Sequence, residues 1–363
     1  MYRYVQKIQL RLSKSAQRRR RQREKAVFYG KYARFLENKY APGKKRIAFL
    51  WFNYEKFLNK GSFDLSSTLL TQFIDRHWPD KFICTALNSH DDPADVLITD
   101  VFDSRNEILR APGKKKIFLT TENTDNKTRY KFNLFDDYML GQVDLAIGFK
   151  RKITAQNYAR LPFWMMTTGF YLCRDIDEVA KKCDAINSLP STLSPKAKFC
   201  VLIASHDNMS PFKIRHKLYD VVSSVGFVSC PGKFKNNVPD KVPFGDDKKA
   251  EYLKDFKFNI CPENSIGDGY VTEKLFDSLV SGTVPIYWSS PDPEPGIVNP
   301  ECFLCFDMDN PQKLIDQIKK LDKDDALLKE FLERPRFLPT APALIWEMIA
   351  DTKEKLERVL FHQ

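Results

Sequence analysis

Residues 258–288 read FNICPENSIGDGYVTEKLFDSLVSGTVPIYW. The first four are an apolar run short enough for a buried strand, and ENSIGDGY then carries two glycines without apolar periodicity, so a loop is expected. Thr272 stands where a helix cap belongs, Leu275, Phe276, Leu279 and Val280 recur at helical spacing, and Gly282 lies just past them. TVPIYW returns as a strand. A strand, a loop, a helix and a second strand make half of a doubly wound α/β fold, whose ligands bind outside the carboxyl ends of the strands.

The loop lies on that edge, and at a helix start the free backbone N–H groups and the dipole favour anions. Glu273 and Thr272 suit such a start with no further role, as first-turn acid and cap. Lys274 does not. A cation at a helix N-terminus is mildly unfavourable, so it asks for a partner, and a diphosphate is the economical one.

Outward from this unit, short strands alternate with helices. KRIAFLWF (45–52), ADVLITD (94–100), KKIFLTTEN (115–123) and VDLAIGF (143–149) contain continuous apolar runs of the kind parallel sheets bury on both faces, and SSTLLTQFIDRHW (66–78) has helical spacing. KFCVLIASH (198–206) reads as another strand, and IRHKLYDVVSSVG (214–226) as a helix ending at a glycine. PQKLIDQIKKL (311–321) and PALIWEMIADTKEKLERVLF (342–361) are amphipathic, the last long enough to pack back across the polar, proline-punctuated stretch 171–198. The expected organisation is a basic segment at 1–40, an α/β domain at 41–170, a linker at 171–198, a second α/β domain at 199–335 and a C-terminal helix at 336–363.

Net charge is +11, but ten Lys and Arg against Glu24 fall in residues 1–25, which leaves the remainder near neutral. Val5, Ile8 and Leu12 recur at helical spacing in that segment, so a basic amphipathic helix on an anionic membrane surface competes with a solvated tail. No basic patch interleaved with aromatics continues into the body, so nucleic acid is not the expected partner. Neither a signal peptide nor a run of ~20 apolar residues is present, and the expected location is the cytoplasm, at most peripheral on the inner membrane face. Eight cysteines are spread from Cys84 to Cys305 and are expected reduced. The pair Cys302 and Cys305, in CFLCF, lacks two further zinc ligands at matching spacing and reads as buried strand cysteines.

The segment ENSIGDGYVTEKLFDSLVSGTVPIYW resembles the donor-site motif of the α1,3/4-fucosyltransferases, glycosyltransferase family 10, in their bacterial form. KIFLTTENTDNKTRYKFNLFDDYMLGQVDLAIGF (116–149) resembles the family's acceptor-domain segment, and KFCVLIASHDNMSPFKIRHKLYD (198–220) the opening of its donor domain. The similarities keep the family's order and span residues 45 to 335. Pro262, Thr121, His206 and Ser289 depart from the usual pattern without removing a charged group.

The resemblance implies a GT-B fold, two Rossmann-like domains facing a cleft with C-terminal helices packing back, and inverting transfer of fucose from GDP-fucose to a hydroxyl of an oligosaccharide or glycolipid, without a bound metal or cofactor. Position by position it implies that Lys274 and Arg215 hold the diphosphate, Glu273 the ribose hydroxyls, and Asn264 and Tyr270 the sugar and phosphate region. Glu122 would be the base. Lys213 competes with Arg215, which is the residue that lines up with an RxxxYD-like pattern. Aspartate pairs that could bridge a metal to a diphosphate, Asp307 with Asp309 and Asp322 with Asp324, are the alternative to a metal-free site.

The chemistry agrees with that assignment. An oxocarbenium-like transition state attacked opposite its leaving group needs one carboxylate to take the acceptor's proton. A nucleoside diphosphate needs its growing charge stabilised more than it needs a proton, and cations at a helix N-terminus do that. Competing readings are a transferase of the same fold with another nucleotide sugar, and a basic nucleic-acid-binding protein whose α/β body is a scaffold.

Overall fold

The structure is a computed structural model and describes residues 44–49, 69–86, 94–128, 130–189, 198–207, 212–239, 242 and 246–362. The basic segment 1–25, the end of KRIAFLWF and the start of the helix expected at 66–78 lie outside the described residues. The chain divides into two compact units, residues 1–117 and 118–363.

In the first unit the elements are β1 (Lys45–Phe49), α1 (Leu69–His77), β2 (Phe82–Ala86), β3 (Ala94–Thr99), α2 (Arg105–Arg110) and β4 (Gly113–Leu119), the last running into the second unit. Strand β1 pairs in parallel with β2 on one side and with β3 on the other, with Ile47 opposite Cys84 and Val96. Helix α1 buries Leu70, Phe73 and Ile74, the apolar stripe its spacing predicts. Helix α2 opens on a capping box in which Ser104 and Glu107 satisfy each other's backbone N–H groups.

The second unit continues with α3 (Tyr130–Asn133), β5 (Leu145–Gly148), β6 (Tyr158–Arg160), α4 (Phe163–Thr167), α5 (Ile176–Asn187), β7 (Lys198–Val201), α6 (Ile214–Ser223) and β8 (Val228–Ser229). It then runs through α7 (Asp246–Leu253), β9 (Phe256–Ile260), α8 (Glu273–Ser281), β10 (Val284–Tyr287), β11 (Leu304–Cys305), α9 (Pro311–Lys323), α10 (Asp325–Glu333) and α11 (Ala341–Phe361). Strands β5 and β6 are parallel, and the chain leaving β4 runs beside them, Thr120 N donating to Ile147 O at 3.0 Å.

Five strands form one sheet in the order β11-β10-β9-β7-β8, every pair parallel. Counted from β7, that is the doubly wound order 2-1-3-4-5, which reverses between β7 and β9. Alternate residues of β7 bury on opposite faces. Cys200 joins the cluster of Leu218 and Val222 from α6 with Leu314 and Ile318 from α9. Val201 packs with Leu253 of α7 and Phe256.

The quoted stretch folds as its sequence predicts. Strand β9 ends at Ile260, helix α8 runs Glu273–Ser281 with Leu275, Phe276 and Leu279 buried, and Gly282 closes it in the left-handed region at φ 76°. Two details differ. Helix α6 closes at Ser224 instead of at a glycine, and Gly226 is there for space, since a Cβ would meet the Phe199 ring at 2.6 Å. CFLCF is not one strand: Cys302 ends a 3₁₀ turn (Pro300–Cys302) and β11 holds Leu304 and Cys305. Between residues 171 and 189 the polar connection is mostly the twelve-residue helix α5, capped by Asp175, and α11 packs back against it and against β6.

Candidate functional site

The reversal between β7 and β9 leaves a crevice beyond their carboxyl ends. Leu202 and Ile203 line it from β7, Cys261 and Pro262 from β9, and three cations face it: Arg215, Lys249 and Lys274. Every residue of the site described below belongs to the second unit.

Glu263 organises the β9 side. Its carboxylate is wholly buried and accepts from Thr272 N at 2.8 Å, Thr272 Oγ1 at 2.7 Å, Tyr287 Oη at 3.3 Å and Lys274 Nζ at 3.4 Å. Thr272 therefore spends its hydroxyl on Glu263 and, as acceptor, on Lys274 Nζ at 2.8 Å, and makes no capping bond to α8. The α8 N-terminus thus carries no side-chain cap of its own, beside an ammonium group. Burial alone would lower the Lys274 pKa, but Glu273 and Glu263 outweigh it and hold the ammonium above its ordinary range. Burial would raise Glu273, and Lys274 with Lys249 outweighs it, so its carboxyl lies below the usual range.

Helix α6 supplies the β7 side. Lys213, at its N-cap, is in the left-handed region at φ 47° and makes no capping bond. Asp207 caps from outside the helix, accepting from Arg215 N at 3.2 Å and His216 N at 2.9 Å. Arg215, 9% exposed, is thereby turned inward, donating to His206 O and at 2.7 Å to Asn264 Oδ1. Burial lowers its pKa, against Asp207 and Glu263. Arg215, not Lys213, reaches the loop.

Tyr270 is buried with its ring edge-on to Phe149 at 5.1 Å, and its phenol bonds to Asn264. Burial, then Glu263, Glu122 and Glu273, hold the phenol far above its ordinary pKa, so it is a neutral donor. Glu122 follows β4 in a tight turn, where Thr120 Oγ1 accepts from Glu122 N at 3.1 Å. Its charge bears on Tyr270. Of the six residues the sequence singled out, Arg215 and Lys274 line the crevice, and the others connect to them: Asn264 accepts from Arg215 and bonds Tyr270, on which the charge of Glu122 bears, and Glu273 pairs with Lys274 at 3.6 Å.

Sequence reasoning missed four contributors. Glu263 stood in the quoted EN and is an acid at the end of an apolar strand, a burial signal that was available. Asn123 follows Glu122 and bonds the loop after β9 through Ser265 Oγ at 2.9 Å. Lys249 and Asp207 are charged residues in polar stretches with no local signal, placed by tertiary structure. The helix behind the site is buttressed by Trp164, which stacks on Phe276 at 4.2 Å and donates at 2.8 Å to the buried Glu294. Arg160 also binds Glu294, at 2.7 Å.

The aspartate pairs are otherwise engaged. Asp307 Oδ1 accepts Asp309 N, Asp322 pairs with Lys257 at 2.9 Å, and Asp324 caps α10. Among the described residues no three His, Cys, Asp or Glu side chains converge as metal ligands, and no helix is long and apolar enough to cross a membrane.

Residues 193–353 match the family model of the C-terminal domain of glycosyltransferase family 10 (fucosyltransferase). The chain is 31% identical over 281 residues to the alpha-(1,3)-fucosyltransferase FucT of Helicobacter pylori, covering 70% of this chain and 54% of that one. It is 34% identical over 205 residues to the rat GDP-fucose protein O-fucosyltransferase 3, covering 54% and 41%. The chain therefore spans about half the length, or less, of these curated relatives. The crystal structure of an alpha1,3-fucosyltransferase with GDP-fucose superposes with a TM-score of 0.58 at 22% identity, over 88% of this chain and 92% of that one. That likeness is one of fold, the α/β GT-B class expected from the motifs. The strand, loop and helix unit lies inside the matched residues 193–353, and this part of the chain falls in the C-terminal domain family of glycosyltransferase family 10, the fucosyltransferases.

Proposed function

We propose that the protein transfers L-fucose from GDP-fucose to a sugar hydroxyl with inversion at the anomeric carbon. The observation that carries this reading is the pairing of two cations, the buried Arg215 and the half-buried Lys274, with an α8 N-terminus whose cap residue is diverted to Glu263. A diphosphate satisfies both cations and the helix N–H groups together. Glu273, with its carboxyl held ionised, accepts from the ribose hydroxyls, and the neutral phenol of Tyr270 donates to the sugar and phosphate region beside Asn264.

In this reading Glu122 removes the proton of the acceptor hydroxyl as its oxygen attacks the anomeric carbon. The bond to the GDP oxygen breaks on the opposite face, and the departing charge falls on Arg215, Lys274 and the helix N-terminus. These residues supply the stabilisation that a metal bridge provides in other nucleotide-sugar enzymes, so the reaction as proposed needs no metal or cofactor. The acceptor is a glycan hydroxyl, in the first instance the 3-OH of a GlcNAc or Glc unit of an oligosaccharide or glycolipid. Residues 1–25 would hold the enzyme against an anionic membrane surface where such an acceptor is displayed.

The domain roles follow. Residues 41–170 carry the acceptor site and the base, and 199–335 carry the donor. Calorimetric titration with GDP, UDP and CDP tests the donor: GDP is expected to bind best, and tight UDP with weak GDP binding rejects the reading.

A further inference from the structure

We propose that Asn123 is a positioning residue that ties the turn bearing Glu122 to the donor loop, and so sets the register between the base and the fucosyl group. This rests on the function proposed above for Glu122 and the crevice.

Asn123 is 2% exposed and spends its side chain in two directions. Its amide Nδ2 donates to Ser265 Oγ at 2.9 Å and to Ile266 O at 3.1 Å, while Oδ1 accepts from Asp125 N at 3.0 Å and closes its own turn. Glu122 is therefore held on both flanks, by Thr120 Oγ1 at 3.1 Å on its own strand end and by Asn123 against a loop some 140 residues away. Gly267 belongs to the same fit, since a Cβ there would lie 2.8 Å from Asn123 Nδ2.

A second grip holds the far end of that loop. Asp268 accepts from Arg151 N at 3.1 Å and Lys152 N at 3.0 Å, and Gly269, at φ 69°, presses so closely on Phe149 O that a Cβ would lie 2.3 Å away. The loop leading to Tyr270 is thus fixed at both ends, but the Asn123 grip belongs to the neighbour of the base. The requirement is chemically narrow: two donors and one acceptor on a short side chain describe asparagine, whereas aspartate offers no donor.

Loss of the tie leaves Arg215 and Lys274 in place, so nucleotide binding persists while alignment of the base with the acceptor does not. A misplacement of about 1 Å costs about a hundredfold in rate. Water, being small, tolerates the misalignment better than a sugar hydroxyl, so hydrolysis of GDP-fucose gains on transfer.

The test compares full-length wild type with Asn123→Ala and Ser265→Ala, using GDP-fucose with N-acetyllactosamine and, separately, hydrogen exchange of the Ile266–Tyr270 amides. Expected for Asn123→Ala are GDP affinity within about threefold of wild type, kcat for transfer lower by about a hundredfold, a raised ratio of hydrolysis to transfer, and loop exchange faster by about tenfold. Ser265→Ala removes one acceptor and little bulk, so it keeps the fold and shows a smaller change in the same direction, with the double variant less than additive. Transfer within about twofold of wild type with an unchanged ratio in both variants overturns the proposal. If the wild type binds no GDP and releases no fucose, the proposed function fails instead, and faster loop exchange in Asn123→Ala then still upholds the tie itself.

Discussion

Arg215 donates to the Asn264 side-chain oxygen at 2.7 Å across 49 residues of sequence. The contact joins the end of β9 to the first turn of α6, on either side of the point where the strand order reverses. Asp207 makes it possible by capping α6 in place of Lys213, which turns the arginine inward. Arg215→Lys keeps the charge but not the planar fork, which spans His206 O and Asn264 together. GDP affinity is expected to fall about tenfold by calorimetry, with the fold unchanged by circular dichroism.

Lys274→Ala removes the ammonium group that lies 3.4 Å from Glu263 and 3.6 Å from Glu273, and with it a cation of the proposed diphosphate site. GDP affinity should fall by about ten- to a hundredfold, the cost of a charge-assisted contact. Affinity within about twofold of wild type would show that the nucleotide lies elsewhere.

Glu263→Gln tests whether the buried carboxylate shapes the helix start. The amide keeps one acceptor but cannot serve Thr272 N, Thr272 Oγ1 and Tyr287 Oη together, so about 1–3 kcal/mol of stability is expected to be lost. Weaker GDP binding should accompany it as Lys274 loses its guide. A drop in unfolding midpoint without any change in GDP affinity would make Glu263 a purely structural group.

Asp103 gives a pH prediction in the first unit. Burial, with Asp100 nearby, raises its carboxyl to about 8, and its Oδ1 has no hydrogen-bond partner among the described residues. The folded state then holds this proton more tightly than the unfolded chain does, whose carboxyl titrates near ~3.9. Its contribution is most favourable below about pH 4 and is lost progressively as pH rises to about 8. Asp103→Asn cannot ionise, so its unfolding midpoint should fall less than that of wild type between pH 5 and 8 in parallel thermal melts. Parallel curves would refute the assignment.

Much of this was legible in the sequence because it is written in local pattern. The loop between β9 and α8, the Gly282 cap and the packing of the C-terminal helix all follow from periodicity and turn chemistry. The choice of Arg215 over Lys213 came from the RxxxYD-like pattern and not from local physics, because an outside cap from Asp207 decides it and tertiary structure alone supplies that cap. Thr272 looked like an ordinary N-cap. Its diversion to Glu263, which leaves α8 without a side-chain cap, depends on a buried carboxylate nine residues earlier whose partners no spacing rule encodes. Asn123 was hidden for the same reason, since its partners lie some 140 residues away.

Transfer of labelled fucose from GDP-fucose across an acceptor panel, by wild type and Glu122→Gln in parallel, tests the central claim most directly. The wild type is expected to transfer fucose with release of GDP and inversion at the anomeric carbon. Glu122→Gln should bind GDP with unchanged affinity and transfer about 10² to 10⁴ times more slowly. A wild type that uses another nucleotide sugar, or a Glu122→Gln variant that transfers at the full rate, would contradict the account.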